Sequence, residues 1–183
     1  LPDNVLFEDN DGQKIRRDLM DKCNLHTILR LPTGIFYAQG VKTNVLFFTR
    51  GKSDTGNTNK VWFYDLRTDM DNYGKRTPFT KPVFANFIKA YTGGVELDDL
   101  ENNYDGSIDD KKRAKIKDTR WTSFTREDIK SKNDSLDIGL MINESSKDEN
   151  DNKTPLQLTN SALKEIESIQ KQLEIVKKLL AND

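Results

Sequence analysis

The stretch LPTGIFYAQGVKTNVLFFTRG, residues 31–51, decides the fold of this chain. An apolar run ends at Leu31, a loop with one Pro, two Gly and an aromatic pair follows, and residues 41–50 continue with consecutive apolar positions. Such a run is typical of a strand that is covered on both faces. We therefore expect residues 25–31 and 41–50 to form two strands joined by this loop.

The segments on either side of these strands extend the pattern. Residues 13–23, QKIRRDLMDKC, place apolar side chains on one stripe and predict a short amphipathic helix. Residues 60–67, KVWFYDLR, predict a third strand after a polar loop. The order helix, strand, strand, strand predicts an α/β fold with a β-meander, in which the strands pair in chain order.

The second half of the chain is more polar. Residues 80–92 predict a helix that presents four apolar side chains on one face. Residues 93–118 are dense in Asp, Asn, Lys and Gly, so we expect an exposed or partly disordered insertion there. Within residues 120–133, Thr125 is the expected N-cap of a short helix. Residues 143–153 have the composition of a linker.

Residues 156–181 contain the clearest regular pattern of the chain. Apolar residues recur every three or four positions, which predicts a long helix of the coiled-coil type. The residues of this heptad seam are Leu163, Ile166, Ile169, Leu173, Val176 and Leu180. Such a helix must bury its apolar stripe. It either docks on its own domain or packs on a partner subunit, and the linker before it favours the partner.

Length and charge restrict the function classes only loosely. With 183 residues the chain fits one domain, or one domain with an appendage. Residues 1–92 carry 14 Lys and Arg against 10 Asp and Glu, whereas residues 93–183 carry 15 against 20. The first half also holds nearly all the aromatic residues. Either a polyanion docks on this basic half, or the charge is ordinary solvated surface.

Short motifs give little evidence of catalysis. Cys23 is the only cysteine and His26 the only histidine, which excludes an intramolecular disulfide and a Cys/His zinc site. His26 is a weak candidate for a catalytic base, and one free thiol suits a reducing cytoplasm. We find no phosphate-binding Gly-rich loop, no signal peptide and no apolar run long enough for a bilayer. The start without Met suggests a proteolytic product or a piece of a longer protein.

Three segments resemble one known family. LPDNVLFE, the run from IRRDLMDKC through LPTGIFYAQGVKTNVLFFTRG, and VWFYDLRTDMDNYGKRTPF resemble the second half of the modification subunit of type I restriction–modification systems. The resemblance is dense over residues 1–92 and resumes weakly at RWTSFTREDI and DSLDI. It implies an S-adenosylmethionine-dependent methyltransferase acting on N6 of adenine in DNA. It also implies a Rossmann-like sheet whose last two strands, residues 25–31 and 41–50, pair antiparallel at its edge.

Two motifs of that family are missing from this sequence. Neither the Gly-containing turn that binds the methyl donor nor an Asn-Pro-Pro-aromatic motif occurs, and the resemblance places both upstream of Leu1. We therefore expect residues 1–92 to be the C-terminal portion of the catalytic domain, residues 93–153 a variable acidic insertion with a short helix and a linker, and residues 154–183 an assembly helix. S-adenosylmethionine is expected to bind only the complete subunit, and no metal is expected. The chain alone should be inactive, with an unpaired sheet edge that favours dimerisation or marginal stability.

The loop after residue 31 is where the resemblance places the target base. An aromatic side chain there offsets part of the cost of extruding the base from the duplex. Phe36 is the first candidate and Tyr37 the second; the alternative is that Phe36 plugs the hairpin core and Tyr37 caps it. Lys42 and Arg50 are candidates for contacts to the DNA backbone. A structural role in the loop is expected for four further residues, Pro32, Gly34, Gly40 and Asn44.

The resemblance also implies partners. These are a specificity subunit, a second methyltransferase subunit, an optional restriction or translocase subunit, and double-stranded DNA in the cytoplasm, with no membrane. A different class of function is a non-catalytic assembly module that binds the specificity subunit through its C-terminal helix. A third is a domain without activity of its own. It differs from the second only in whether another chain occupies the heptad seam.

Overall fold

The computed structural model describes residues 1–36, 41–67, 73 and 78–137. Five α-helices and four strands lie within these ranges. The helices are α1 (Asp11–Lys22), α2 (Ala85–Thr92), α3 (Leu100–Asn103), α4 (Asp110–Arg113) and α5 (Arg126–Ser131). The strands are β1 (Cys23–Leu31), β2 (Thr43–Arg50), β3 (Lys60–Asp65) and β4 (Trp121–Thr125). Short 3-10 turns cover Asp3–Leu6, Lys81–Phe84 and Leu97–Asp99.

The four strands form one sheet in the order β2, β1, β3, β4. β1 pairs antiparallel with β2 and parallel with β3, and β3 pairs antiparallel with β4. The predicted antiparallel pairing of residues 25–31 with 41–50 is confirmed. The predicted meander is wrong because β3 pairs with β1 rather than with β2. β1 is therefore an interior strand with all but two of its nine residues buried, and two further strands follow β2 in the chain.

Strand β2 is more exposed than its sequence predicts. We expected cover on both faces, but Val45 and Phe48 are 37% and 52% exposed. At its outer edge, residues 1–3 pair with residues 42–44, and no described strand continues this edge past residue 44. The strands that are covered on both faces are β1, with five consecutive buried residues, and β3, in which all four central residues are buried. A run of apolar residues in β2 therefore borders a surface that the described residues leave partly open.

Helix α2 covers one face of the sheet with aromatic packing. Phe87 packs edge-on against Tyr64, with ring centroids 5.5 Å apart, and Trp62 stacks on Trp121 at 4.8 Å. All four of these side chains are buried. The predicted helix over residues 80–92 is confirmed, and its 3-10 first turn places a proline where no backbone N–H is needed.

The segment over residues 93–118 contains a buried arginine that packs into the core. Most of its side chains are exposed, as predicted, but the segment contains α3 and α4, and Arg113 is fully buried. The Arg113 guanidinium lies 5.1–5.5 Å from the ring centroids of Trp62, Tyr91 and Trp121, and it donates a hydrogen bond to the Thr27 hydroxyl. The prediction of partial disorder in this segment is therefore wrong.

The predicted N-cap at Thr125 is confirmed. The backbone N–H of Asp128 donates to Thr125 Oγ1 at 3.2 Å, and the backbone N–H of Thr125 donates to the Asp128 carboxylate at 2.8 Å. This reciprocal capping box begins α5. Residues 121–125, which we assigned to no element, form β4. A five-residue strand carries little periodicity of its own, so its identity depends on pairing with β3.

The last described residues return to the first helix. Arg16 is 3% exposed, and its Nε donates to the backbone carbonyl of Asp134 at 2.7 Å. The buried carboxylate of Asp134 also forms ion pairs with Arg17 at 2.8 Å and with Arg126 at 2.7 Å. Helices α1 and α5 are therefore connected through a single aspartate.

Residues 1–137 form one compact unit, so β4 shares a sheet with strands that precede the predicted boundary at residue 92. The functional division at residues 92 and 153 stays a prediction. The linker over residues 143–153 and the assembly helix with its seam lie outside the described residues, as do Tyr37 and Gly40.

Candidate functional site

The loop after β1 and the residues after β3 meet at one edge of the sheet. β1 and β3 are parallel and end at Leu31 and Asp65. In open α/β sheets, ligands bind beyond the carboxyl ends of parallel strands. Residues 32–36 and 41–42, together with Arg67, therefore occupy the place in which this fold class holds a ligand.

The start of the loop is tightly packed and leads to an exposed aromatic ring. Pro32 is buried. Gly34 has a φ of +85°, and a Cβ on it would overlap the carbonyl oxygen of Tyr73, so only glycine fits there. Two residues later, Phe36 is 51% exposed. This exposure argues against the alternative that Phe36 plugs the hairpin core, and it leaves much of the ring open to solvent.

Arg67 connects the two sides of the loop. Its Nε donates to the carbonyl oxygen of Leu31 at 2.9 Å, and its Nη2 donates to that of Thr43 at 3.0 Å. Leu31 and Thr43 are the last Cα partners of the β1–β2 ladder on the side of the loop. Nη1 and Nη2 also donate to the two carboxylate oxygens of Asp3 at 3.1 and 3.0 Å. This is the two-pronged geometry in which arginine binds carboxylates most strongly.

Asn44 completes the network around Arg67. Asn44 is 2% exposed; its Nδ2 donates to the Asp3 carboxylate at 2.8 Å, and its Oδ1 accepts from Arg67 at 3.3 Å. Its side chain therefore binds Asp3 and Arg67 rather than the backbone of the loop. Burial opposes the ionisation of Asp3, but hydrogen bonds from Arg67 and Asn44 outweigh burial and keep the pKa of Asp3 below its ordinary value. Asp3 is thus a carboxylate at neutral pH and matches the charge of Arg67.

The two residues predicted to contact the DNA backbone lie at opposite ends of β2. Lys42 is exposed beside the loop, where its carbonyl accepts from the Asp3 backbone N–H at 3.1 Å. Arg50 ends β2 and binds the carboxylate of Asp54 and the carbonyl of Lys22. The structure therefore brings Lys42, but not Arg50, next to the loop that carries the exposed ring.

His26 is buried away from this edge. It is 7% exposed, and its Nδ1 lies 3.0 Å from the Thr27 hydroxyl. Burial, reinforced by the charge of Arg113, lowers the pKa of His26 to about 4. Among the described residues, no three His, Cys, Asp or Glu side chains are grouped to hold a metal ion. None of the helices in the described ranges is long and apolar enough to cross a membrane.

Sequence reasoning missed Asp3 and Arg67. The signal for Arg67 is its position, because it comes two residues after the end of a strand that is buried over its central residues. Charged residues directly after such strands lie at the ligand-binding edge of an α/β sheet. Asp3 carries no local signal, since its role depends on a partner 64 residues away.

Comparison with known proteins decides the family. The sequence model of the N-6 DNA Methylase family matches residues 1–151. This chain belongs to that family. It is 44% identical to the methylase subunit of the type I restriction enzyme EcoKI of Escherichia coli strain K12, and 47% identical to that of StySJI from Salmonella typhimurium strain LT2. The alignments cover 100% and 91% of this chain but only 38% and 35% of those two proteins.

The fold of this N-6 DNA Methylase chain agrees with solved structures. The crystal structure of the EcoKI M protein is 49% identical, with a TM-score of 0.59 over 75% of this chain and 32% of that one. A structure from work on complex assembly and conformational transition of the type I restriction–modification system has 22% identity and a TM-score of 0.57. It covers 100% of this chain and 35% of that one, and it supports the fold alone. The mixed α/β architecture and the resemblance to type I methylase subunits are confirmed.

Proposed function

We propose that this chain is the C-terminal part of a type I methylase subunit, which transfers a methyl group from S-adenosylmethionine to N6 of adenine in double-stranded DNA. The observation that carries the proposal is the 44–47% identity to type I methylase subunits over nearly the whole chain. The exposed aromatic ring at the carboxyl edge of the parallel strands gives this chain a defined part in that reaction.

The part that we assign to this chain is reception of the target base. An enzyme that modifies a base in a duplex extrudes that base at an unstacking cost of a few kcal/mol. Stacking on an aromatic side chain returns about 1–3 kcal/mol. Phe36 is half exposed on the loop where the fold class holds its ligands, so its ring is accessible to an extruded base. Lys42 is exposed on the same loop, and we assign its positive charge to a contact with the phosphate backbone.

Donor binding and the reactive centre are assigned to parts of the complete subunit outside this chain. The sequence contains neither the Gly-containing turn nor an Asn-Pro-Pro-aromatic motif. The described residues also leave an apolar surface beside β2, where Ile15, Val45 and Phe48 are 62%, 37% and 52% exposed. We propose that the remainder of a Rossmann-like sheet covers this surface and supplies the donor site. The chain alone then neither binds S-adenosylmethionine nor methylates DNA.

Calorimetric titration with S-adenosylmethionine tests whether the donor site lies outside this chain. The 183-residue chain is expected to give no binding heat at micromolar donor, whereas the complete subunit binds. Binding by the chain alone at micromolar concentration would contradict the assignment of the donor site to other residues.

Replacing Phe36 by Ala tests the base contact. In the complete subunit, assembled with its specificity subunit, Phe36→Ala should lower kcat/KM for DNA methylation about 10- to 100-fold, the equivalent of a lost stacking contact. The matched control is Phe7→Ala, because Phe7 is 48% exposed but lies outside the loop. Unchanged methylation by Phe36→Ala at limiting DNA would show that Phe36 does not hold the base.

The C-terminal seam favours a second proposed role in assembly. Its apolar residues recur at heptad spacing, and such a stripe is stable only against another surface. We propose that it packs on the specificity subunit in a cytoplasmic complex that also contains a second methylase subunit and, optionally, a restriction subunit.

Capture of the chain by a tagged specificity subunit tests this role. The wild-type chain should be captured, and replacing both Ile169 and Leu173 by Glu should abolish capture. Lys171→Glu is the control, because Lys171 lies outside the seam, and it should retain capture. Equal capture of all three chains would refute the assembly role.

A further inference from the structure

Arg67 holds both ends of the loop that carries Phe36. The β1–β2 ladder ends at the pair Leu31 and Thr43, and the carbonyl oxygens of both residues accept from the same guanidinium, at 2.9 and 3.0 Å. A guanidinium is planar and its donors are fixed relative to one another. The two strand ends therefore cannot separate or shift in register without breaking one of these hydrogen bonds.

The surroundings of Arg67 hold its side chain in one orientation. The Arg67 side chain is 14% exposed, and Asp3 accepts one hydrogen bond from each of its two terminal nitrogens. Asn44 bridges both members of this ion pair. The charge of Arg67 is thus matched within the protein, so its guanidinium is committed to the loop ends rather than to a DNA phosphate.

We propose that Arg67 is a positioning residue for the target-base contact: it fixes the two ends of the loop after β1, so that Phe36 is presented at a constant place beyond the sheet edge. Asp3 and Asn44 orient Arg67 for this role. The inference rests on the proposed function and extends it from the residue that contacts the base to the residue that holds that contact in place. Rigid support of this kind matters because misplacement of a contact by about 1 Å can lower a rate about 100-fold.

The test compares two arginines in the complete subunit, assembled with its specificity subunit. Arg67→Gln removes the guanidinium with its charge, and Arg67→Lys keeps the charge but removes the planar set of N–H donors. The matched control is Arg30→Gln, because Arg30 has a similar side-chain exposure of 17% but pairs with Asp65 at 3.1 Å, which connects β1 to β3 and not to β2. Each variant is assayed for methyl transfer to DNA, and for fluorescence of 2-aminopurine placed at the target adenine of a duplex carrying the modification site of the complex. The fluorescence reports extrusion of the base separately from turnover.

We expect Arg67→Gln to lower kcat about tenfold or more and to halve the rise in 2-aminopurine fluorescence, with KM for DNA changed less than about threefold. Arg67→Lys should fall between this variant and the wild type. Arg30→Gln should stay within about twofold of the wild type in both assays. Because Arg67 acts through Phe36, the double variant with Phe36→Ala should be no slower than Phe36→Ala alone.

Several results would overturn the inference. If the wild type methylates DNA but Arg67→Gln matches Arg30→Gln, Arg67 does not position the contact and the proposed function still stands. If the losses of Arg67→Gln and Phe36→Ala multiply in the double variant, Arg67 acts independently of Phe36. If Arg67→Gln does not fold, Arg67→Lys replaces it in the comparison, provided that its thermal midpoint equals that of the wild type. Wild-type methylation rates and wild-type fluorescence in Arg67→Lys would then refute the positioning role of Arg67. If the wild-type subunit transfers no methyl group to DNA, it is the proposed function that fails.

Discussion

Arg113 and Arg67 lie toward opposite ends of the parallel pair β1 and β3, and they use the same chemical group differently. Arg113 is fully buried among three aromatic rings, and Arg67 is surrounded by carbonyl and carboxylate oxygens. Packing around Arg113 fastens an outer segment to the core, whereas the hydrogen bonds of Arg67 determine the geometry of a loop. One end of the sheet thus serves stability, and the other serves the proposed function.

The largest effect on stability is expected from Arg113→Ala. This change leaves a cavity beside the stacked rings of Trp62 and Trp121 and removes the cation–π contacts, whereas Asp110, half exposed, keeps the hydrogen bond from Trp62 and is otherwise rehydrated at little cost. The free energy of unfolding should fall by about 3 kcal/mol, measured by denaturant titration. Methylation by the complete subunit should stay within about threefold at temperatures where the variant is folded.

The control for this change is Lys112→Ala, one residue earlier and exposed. It should cost less than about 0.5 kcal/mol. A folded Arg113→Ala variant with strongly reduced methylation would show that Arg113 also affects the reaction, which would contradict the proposed difference between the two ends of the sheet.

An intermediate effect on stability, with a large effect on activity, is expected from Gly34→Ala. The added Cβ would meet the backbone of Tyr73 at a positive φ, so the start of the loop must move. We expect a loss of about 2 kcal/mol and at least tenfold slower methylation by the complete subunit. Gly56→Ala is the matched control, since Gly56 also has a positive φ, of +68°, but nothing lies within 4 Å of an added Cβ. It should cost about 1 kcal/mol and leave methylation unchanged. Equal activity of the two variants would argue against a functional loop.

At neutral pH the smallest effect is expected from His26, at the Arg113 end of the sheet, because its contribution develops only as the pH falls. The pKa of His26 falls from an ordinary 6.5 to about 4 in the folded chain. Between these values the unfolded chain binds a proton that the folded chain excludes, so stability decreases as the pH falls from 6.5 to 4. In His26→Gln this contribution is absent, and the stability difference between wild type and variant should change by about 1–3 kcal/mol across that range. Parallel curves for the two proteins would show that His26 titrates normally.

Local structure was predictable where its causes are local. The helices over residues 11–22 and 85–92 and the capping box at Thr125 follow from periodicity and caps. The antiparallel pairing of β1 with β2 was expected from the family resemblance. The order of the strands in the sheet was not predictable, because β3 pairs with β1 and not with β2, which lies between them in the chain. β4 was missed because a five-residue strand carries little periodicity and its partner β3 is distant in the chain.

Some functional and structural side chains could likewise be identified from the sequence, and others could not. Phe36 was chosen because the family resemblance places the target base at this loop, and Gly34 because a glycine lets a loop bend sharply. Arg67 and Arg113 were missed, since an arginine acquires its role from its partners, which lie 64 and 86 residues away in the chain for Asp3 and Thr27. Nothing in the neighbouring sequence distinguishes Arg113 from solvated charge, and Arg67 is marked only by its position two residues after the end of β3.

The connection of Arg16 to Asp134 spans 118 residues, and the backbone N–H of Leu136 donates to the carbonyl of Leu6 at 2.8 Å. On the ribosome, helix α1 therefore emerges long before the residues that close over it. At about 5–20 residues per second, this interval is on the order of 6–24 s. For that time the nascent polypeptide displays an amphipathic helix without its final cover, which gives a holding chaperone a binding surface at this stage of translation.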